Sequence, residues 1–394
     1  MFLLSKLEDP NRPLLGINIK VLKVFGLLLP KNVYMKMFFI CLHIITICYY
    51  ITQSIETWFV KDDINKLSNN LKTAMLTNIV TFRCLTLLFM QNKWWGIIDY
   101  VTRTDIFNRT SDDPVKVKIV SESTNYTRKL SFGYYLIVIF NVVYFIYEPL
   151  YRYFSSRGKD KSEPLTFIIS SWLPFDKCKM PGYWYAYVIQ IFGTIFGGVW
   201  LAAYDCIVFS TLTFFKAELK ILRLDSANLF GTESSTARGE TVTERFKDLH
   251  IRHMDMMKYV RDLNSCLSMH MIMYMLICSL ILCVSAFEIT AQTKILQQLL
   301  KAQYLFLVIF QLFIYCWHCS DVNHTSLYLS LGPYESLWYN HSTIHRKNLY
   351  ILTAQFSQAV VFTAGSFTTV TVATFISLMK GAYSFYTLLR KSEN

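Results

Sequence analysis

Seven stretches of this sequence, 34–59, 71–90, 130–150, 183–215, 263–289, 296–317 and 363–389, are apolar over lengths that would cross a lipid bilayer. The hydrocarbon core needs roughly 20 mostly apolar helical residues, and it holds no water to satisfy backbone groups left unpaired. The predicted fold is therefore all-α: a polytopic membrane protein with seven transmembrane helices. Composition agrees, since 53% of the 394 residues are hydrophobic and only 17% are charged, too few to solvate a domain of that size. The net charge of +12 fits basic loops lying against anionic lipid, so membrane lipid rather than nucleic acid is the expected partner.

The connecting segments set the topology. Residues 1–13 hold Lys6, Glu8, Asp9 and two prolines before any apolar run, so no secretory signal is expected. Residues 14–29 are apolar but carry Asn18, Lys20 and Lys23 and stop at Pro30, which predicts a short in-plane or re-entrant helix. An odd number of spans puts the termini on opposite faces. With the N-terminus in the cytoplasm, the inner segments carry about twice as many Lys and Arg as the outer ones, as the positive-inside rule requires. Four glycosylation sequons, at Asn108, Asn125, Asn323 and Asn340, argue the other way, but about three arise by chance in a chain this rich in Ser and Thr. The charge bias decides for a cytoplasmic N-terminus, the inverse of a G-protein-coupled receptor. Cys41, Cys48, Cys84, Cys206, Cys278 and Cys283 lie inside apolar runs and only Cys178 falls in an outer loop, so no disulfide framework is expected.

The last stretch is the most informative. At helical spacing Ser366, Thr369, Ala373, Ser377, Lys380, Ser384, Thr387 and Lys391 share one stripe, with Phe367, Val370, Phe375, Ile376, Phe385 and Leu388 elsewhere. Hydroxyls and a lysine gain nothing from acyl chains, so the stripe faces another helix or water. It is either a small-residue packing seam or the wall of an ion pathway, and chemistry alone favours packing.

Arg83 lies mid-span in the second stretch and needs a partner or water; Glu56 and Glu148, near the outer ends of other spans, are its candidate partners. A structural ion pair and a ligand or pore role are equally open. In the third span Phe140, Tyr144 and Tyr147 recur at helical spacing, and Thr77, Phe82, Tyr187, Ile191 and Ile195 are candidates to face them across a small-molecule pocket. Aromatic packing or an interfacial belt is the competing reading. Cys316, His318, Cys319, Asp321 and His324 lack the second ligand pair that a metal site needs, and His250 and His253 fit ordinary packing on a basic amphipathic helix. No phosphate loop, nucleophile elbow or carboxylate pair is present, so neither an enzyme nor a cofactor is expected.

The C-terminal quarter narrows the field. The runs LGPYESLWY, HRKNLYILTAQ, VVFTAGSF and FISLMKGAYSFYTLL resemble the closing signature of insect odorant receptors, through Trp338, Arg346, Lys347, Ala364, Gly365, Lys380, Tyr383 and Ser384. The segment LHIRHMDMMKYVRDLNSCLS, with His253, is similar to the cytoplasmic helix entering that family's fifth span. The resemblance implies an odorant receptor subunit of a ligand-gated, non-selective cation channel in the plasma membrane of olfactory sensory neurons, with a cytoplasmic N-terminus and an extracellular C-terminus. It implies a heterotetramer with the co-receptor Orco, a small volatile organic odorant as ligand, and permeant cations. The odorant pocket would lie in the outer half of the second, third, fourth and sixth spans.

On this reading one domain, 1–394, divides into a ligand-binding helical bundle, 34–320, and a segment 321–394 that holds the cytoplasmic anchor and the pore-lining helix. Ser377, Lys380, Ser384, Thr387, Arg390 and Lys391 would border the pore. Orco itself carries a much longer loop before the fifth span. Ala359 stands where many relatives have proline. Thr387, Arg390 and Lys391 replace apolar and amide residues of the co-receptor and would ring a homotetrameric pore with like charge. The alternative is a G-protein-coupled-type or gustatory chemoreceptor, although the gustatory TY…QF pattern is missing, with no glutamine after Thr374 and Phe375.

Overall fold

Local signals in the sequence set where the helices begin and end. In the computed structural model, which describes residues 9, 11–62, 64–156, 167–177, 179, 181–231, 241–291 and 295–393, the chain is almost entirely helical. A short helix α1 (Gly16–Val24) precedes α2 (Val33–Phe59), α3 (Ile64–Phe89), α4 (Gln91–Arg109), α5 (Pro114–Ser156) and α6 (Gly182–Ala227). Then come α7 (Val242–Ala291), α8 (Ile295–Leu327), the one-turn α9 (Leu331–Glu335), α10 (Thr343–Phe356), strands β1 (Thr363–Ala364) and β2 (Thr368–Thr369), and α11 (Val372–Glu393). Asn32 caps α2 by accepting from the Tyr34 amide at 3.0 Å. Thr241 and Glu244 form a reciprocal capping box at the start of α7, with bonds of 2.9 and 3.3 Å.

Six of the described helices, α2, α3, α5, α6, α7 and α8, are long and apolar enough to cross a membrane. They contain the first six predicted spans. Among the described residues the polar segments between spans are also largely helical: 91–109 forms α4, 114–128 starts α5, 216–227 continues α6 and 242–261 begins α7. These helices run well past the ~20 residues a bilayer needs, and their charged ends make the ion pairs described below. The predicted helix within 14–29 is α1. It buries Ile19 and Leu22, and its buried Asn18 gives hydrogen bonds to Ser131 and Ser210 at 3.2 and 2.7 Å.

The seventh stretch departs from the prediction of one continuous helix over 363–389. Its first residues form a β-hairpin pairing Thr363 with Thr369 and Ala364 with Thr368. Gly365 turns it at φ +60°, a conformation that only glycine adopts without strain. The hairpin is fastened to α7: Asn264 Oδ1 accepts the Thr363 amide at 2.9 Å, and the Gly365 amide donates to the Ser268 carbonyl at 2.9 Å. The helix starts only after Thr371, whose hydroxyl accepts the Thr374 amide at 3.2 Å. Ser366 and Thr369 therefore leave the predicted stripe, and Phe367 and Val370 leave the helix with them. The 22 residues of α11 still reach roughly 30 Å, a bilayer's hydrocarbon thickness.

α6 is the axis of the bundle. It packs against α5, α8, α3, α9 and α1, and it is buried almost continuously from Trp200 to Leu222. Three glycines admit its neighbours closely: a Cβ on Gly193 would fall 2.2 Å from the Tyr49 ring, on Gly197 2.4 Å from the Tyr50 hydroxyl, and on Gly198 2.5 Å from Val142. Nearer its C-terminus α6 carries Glu218 and Asp225. Arg252 of α7 bonds both, at 3.0 and 2.7 Å, Asn108 of α4 donates to Glu218 at 2.7 Å, and Lys116 of α5 pairs with Asp225 at 2.5 Å. Four helices are tied together at that end.

Candidate ligand cavity and its polar floor

Between the Gly193–Leu201 region of α6 and the facing parts of α3, α5 and α8 lies an apolar cavity of about 170 Å³. An apolar void of roughly 150 Å³ is enough to hold benzene, so this one is of a size for a small volatile molecule. Leu76, Val80, Val138, Val142, Leu201 and Val308 supply much of its wall. The helices around it are those expected of a pocket between the second, third, fourth and sixth spans, with Tyr50 of α2 and Ile169 added.

Tyr134 and Gln311 line the cavity, and both reach past it to one buried carboxylate. Asp205, on α6, accepts from the Tyr134 hydroxyl at 2.5 Å and from the Gln311 amide at 2.5 Å on one oxygen. On the other oxygen it accepts from Arg83 Nη1 at 2.6 Å and from the Tyr315 hydroxyl. Arg83 Nε donates to His270 Nε2 at 2.7 Å, and the guanidinium lies 4.8 Å from the Tyr274 ring centre. Neither side chain of the Arg83–Asp205 pair has any exposure. One network thus joins α3, α5, α6, α7 and α8 beneath the cavity.

The partners expected for Arg83 are engaged elsewhere. Glu56 accepts from Lys177 and Ser170 at 2.8 and 2.9 Å, and Glu148 pairs with Arg152 one turn away. Both sit too near the ends of their helices to reach a mid-span guanidinium. Asp205 is a lone carboxylate inside the apolar stretch 183–215, so the rule that singled out Arg83 singles it out too. Its pairing with Arg83, 122 positions away, carries no local sequence signal.

Of the eight pocket candidates read from the sequence, Thr77 lines this cavity. Phe140 and Tyr147 point outward, 63% and 60% exposed, because among the described residues no helix packs on that face of α5. Tyr187 is buried but gives its hydroxyl to the Ile146 carbonyl, next to the turn where Pro149 has no N–H to donate. Tyr144, Phe82 and Ile191 are half-buried, and Ile195 is 38% exposed; none of the four borders the cavity. Tyr50, Thr73, Tyr134, Asn141, Thr194, Tyr304 and Gln311 are polar wall residues that helical spacing did not pick out.

On α11, Phe375, Leu378 and Met379 pack inward, with Phe375 meeting Phe313 at 5.5 Å between ring centres. Ser377, Lys380 and Ser384 are exposed on the other side and Thr387 is half-buried. The Ser377, Ser384 and Thr387 hydroxyls donate back to the carbonyls of Ala373, Lys380 and Ser384. The side chains of Arg390 and Lys391, like Cys178, lie outside the described residues. His318 is held by Tyr126 and the Ile314 carbonyl, and Asp321 by Lys216 at 2.6 Å, so these residues serve helix packing.

A family model described as 7tm Odorant receptor matches residues 63–383. This chain belongs to the insect odorant receptor family. The family is one of receptors rather than enzymes. Similar sequences include Odorant receptor Or2 of Anopheles gambiae, 27% identical over 42% of this chain and 44% of the relative. Odorant receptor 10 of Aedes albopictus is 25% identical over 56% of this chain and 58% of its own length. The chain thus spans about half the length of these two relatives. Odorant receptor 30a of Drosophila melanogaster is 20% identical over 98% of this chain and 99% of its own. The olfactory receptor OR5 of Machilis hrabei, solved in complex with eugenol, superimposes with a TM-score of 0.81 over 96% of this chain and 99% of its own, at 15% identity. At that identity the likeness establishes the fold, a multi-pass all-α membrane protein.

Proposed function

We propose that this receptor is the odorant-binding subunit of a ligand-gated, non-selective cation channel that assembles with the co-receptor Orco as a heterotetramer in the plasma membrane of olfactory sensory neurons. The observation that carries the reading is the apolar cavity lodged among four helices, with the charged network directly beneath it. A small volatile fits such a space, and its contacts with Tyr134 and Gln311 would bear on five helices at once. The Machilis hrabei receptor, which shares the fold, is solved with the small aromatic molecule eugenol. A ligand shifts the closed–open equilibrium only through its differential affinity for the two states. The contacts of the cavity floor supply a place for that difference.

The pore wall in this proposal is the outward side of α11, with Ser377, Lys380, Ser384 and Thr387 followed by Arg390 and Lys391. The N-terminus is cytoplasmic and the C-terminus extracellular. Support comes from Asn108, a sequon residue that is buried against Glu218 and has no room for a glycan. The test is current recording with and without Orco against a broad panel of volatiles. Volatile-evoked cation current that needs both subunits is expected. An N-terminal tag that is accessible from outside intact cells, or signalling that survives without cation current, overturns the reading in favour of a G-protein-coupled type.

A further inference from the structure

Six hydrogen-bonding groups on the cavity wall share one polarity. The Tyr50 hydroxyl donates to the Gly193 carbonyl at 2.8 Å, Thr77 to the carbonyls of Thr73 and Ala74 at 3.1 and 3.0 Å, and Thr194 to the Gln190 carbonyl at 2.8 Å. Tyr134 spends its proton on Asp205 at 2.5 Å. Each of these hydroxyls has one proton and is left with lone pairs alone for any other partner. Thr73 and Tyr304, also on the wall, each have a further interaction within the protein and are not counted among these groups.

The two amides are oriented the same way. Gln311 gives an N–H to the Asp205 carboxylate at 2.5 Å, and Asn141 gives one to the Ile137 carbonyl at 2.7 Å. Both acceptors lack a proton, so the nitrogen must be the atom facing them and the amide oxygen turns elsewhere. The wall therefore offers four hydroxyl oxygens and two amide carbonyls as acceptors, against one remaining N–H on each amide. Four of the six give their proton to a nearby backbone carbonyl, and for Tyr134 and Gln311 the cause lies below the wall. Asp205 is a buried carboxylate that must collect donors, and it draws them from the cavity floor.

We infer that the cavity selects small apolar volatiles that carry a hydrogen-bond donor, alcohols and phenols above all, over isosteric ethers, aldehydes and esters that can only accept. This rests on the reading of the cavity as the odorant site. A hydroxyl-bearing ligand points its O–H at the Tyr134 and Gln311 oxygens and fills the apolar wall with its carbon skeleton. An acceptor-only ligand has only the second N–H of each amide to accept from and leaves the Tyr134 and Gln311 oxygens without a donor.

Matched pairs test this: octanol against octanal and methyl heptyl ether, and para-cresol against para-methylanisole. The readouts are thermal stabilisation of the full chain in lipid nanodiscs and half-maximal concentration for current from the chain expressed with Orco. Each donor is expected to act at about tenfold lower concentration than its acceptor-only partner. Tyr134→Phe and Gln311→Met are expected to shrink that ratio. Thr77→Val, which does not touch Asp205, keeps the test valid if either floor variant fails to fold. Equal or stronger action by the acceptor-only members, or no stabilisation by any donor, overturns the inference. Val142→Phe, which fills the cavity, separates the two levels. If it removes stabilisation by every ligand while donors and acceptors act alike, the site stands and the donor preference falls. If it changes nothing, the odorant-site reading falls with it.

Discussion

Asp205 accepts four donors with no exposure to solvent, and a charge so placed is stable only while its partners stay. Removing one member of a buried pair leaves the other uncompensated, at about 3–5 kcal/mol. Arg83→Met alone is therefore expected to lower thermal stability and surface abundance sharply. The double variant Arg83→Met with Asp205→Leu should recover much of the loss, because it leaves no lone buried charge. Cell-surface labelling of the two variants checks this, and equal loss in both would show that the pair matters for more than charge balance. Gly365 is the second residue whose identity is forced. Its positive φ and a neighbouring Ile272 Cδ1 that would lie 3.1 Å from an added Cβ make Gly365→Val destabilising by an expected 1–3 kcal/mol, roughly the cost of a side chain held in a sparsely populated backbone region. Weaker protection of the Thr363 and Gly365 amides in hydrogen exchange would report it.

At the scale of elements, the first part of α7 carries Arg245, Lys247, Asp248, Arg252, Asp255, Lys258, Arg261 and Asp262, too many charges for hydrocarbon, so it stands outside the membrane. His253 on that segment is nevertheless buried, its ring 4.8 Å from Phe356 of α10. Burial, then the nearby His250, push its pKa down to about 4. The unfolded or undocked state takes up the proton more readily, so docking of α10 on α7 is fully stabilised above about pH 6.5 and is lost progressively as pH falls toward 4. Faster amide exchange in α10 near pH 5 than near neutrality is expected, with His253→Phe abolishing the difference. On α11, Lys380 is exposed amid hydroxyls already bonded to their own helix. If that side borders the ion path, Lys380→Glu changes conductance or cation selectivity in single-channel records. Unaltered permeation would mark the face as a subunit contact instead.

For the whole molecule, charge and apolarity are sorted along α6. The cavity lies around Gly193–Leu201, the Asp205 network follows one to two turns later, and Glu218 and Asp225 with their cationic partners close the C-terminal end. Asn323 donates to the Val360 carbonyl at 2.8 Å and, like Asn108, is engaged in the fold rather than free at a surface. Endoglycosidase treatment of the expressed receptor is therefore expected to leave no mass shift attributable to either site.

The sequence by itself determined the class of fold, because a run of twenty apolar residues has no alternative to a helix in lipid, and six of those runs are visible to composition alone. It also determined the family, through the residues of the C-terminal quarter, and it showed that Arg83 demanded a partner. Tertiary structure decided which partner. Asp205 meets Arg83 because α3 and α6 cross there, and no periodicity within either helix encodes that crossing. It decided equally which side of α5 faces inward: helical spacing grouped Phe140, Tyr144 and Tyr147 correctly as neighbours, but lipid and ligand both welcome an aromatic ring, so the pattern could not tell one from the other. The polar groups that face the cavity, Tyr134 and Gln311, were fixed by a carboxylate on another helix, and only the packed bundle brings the three together.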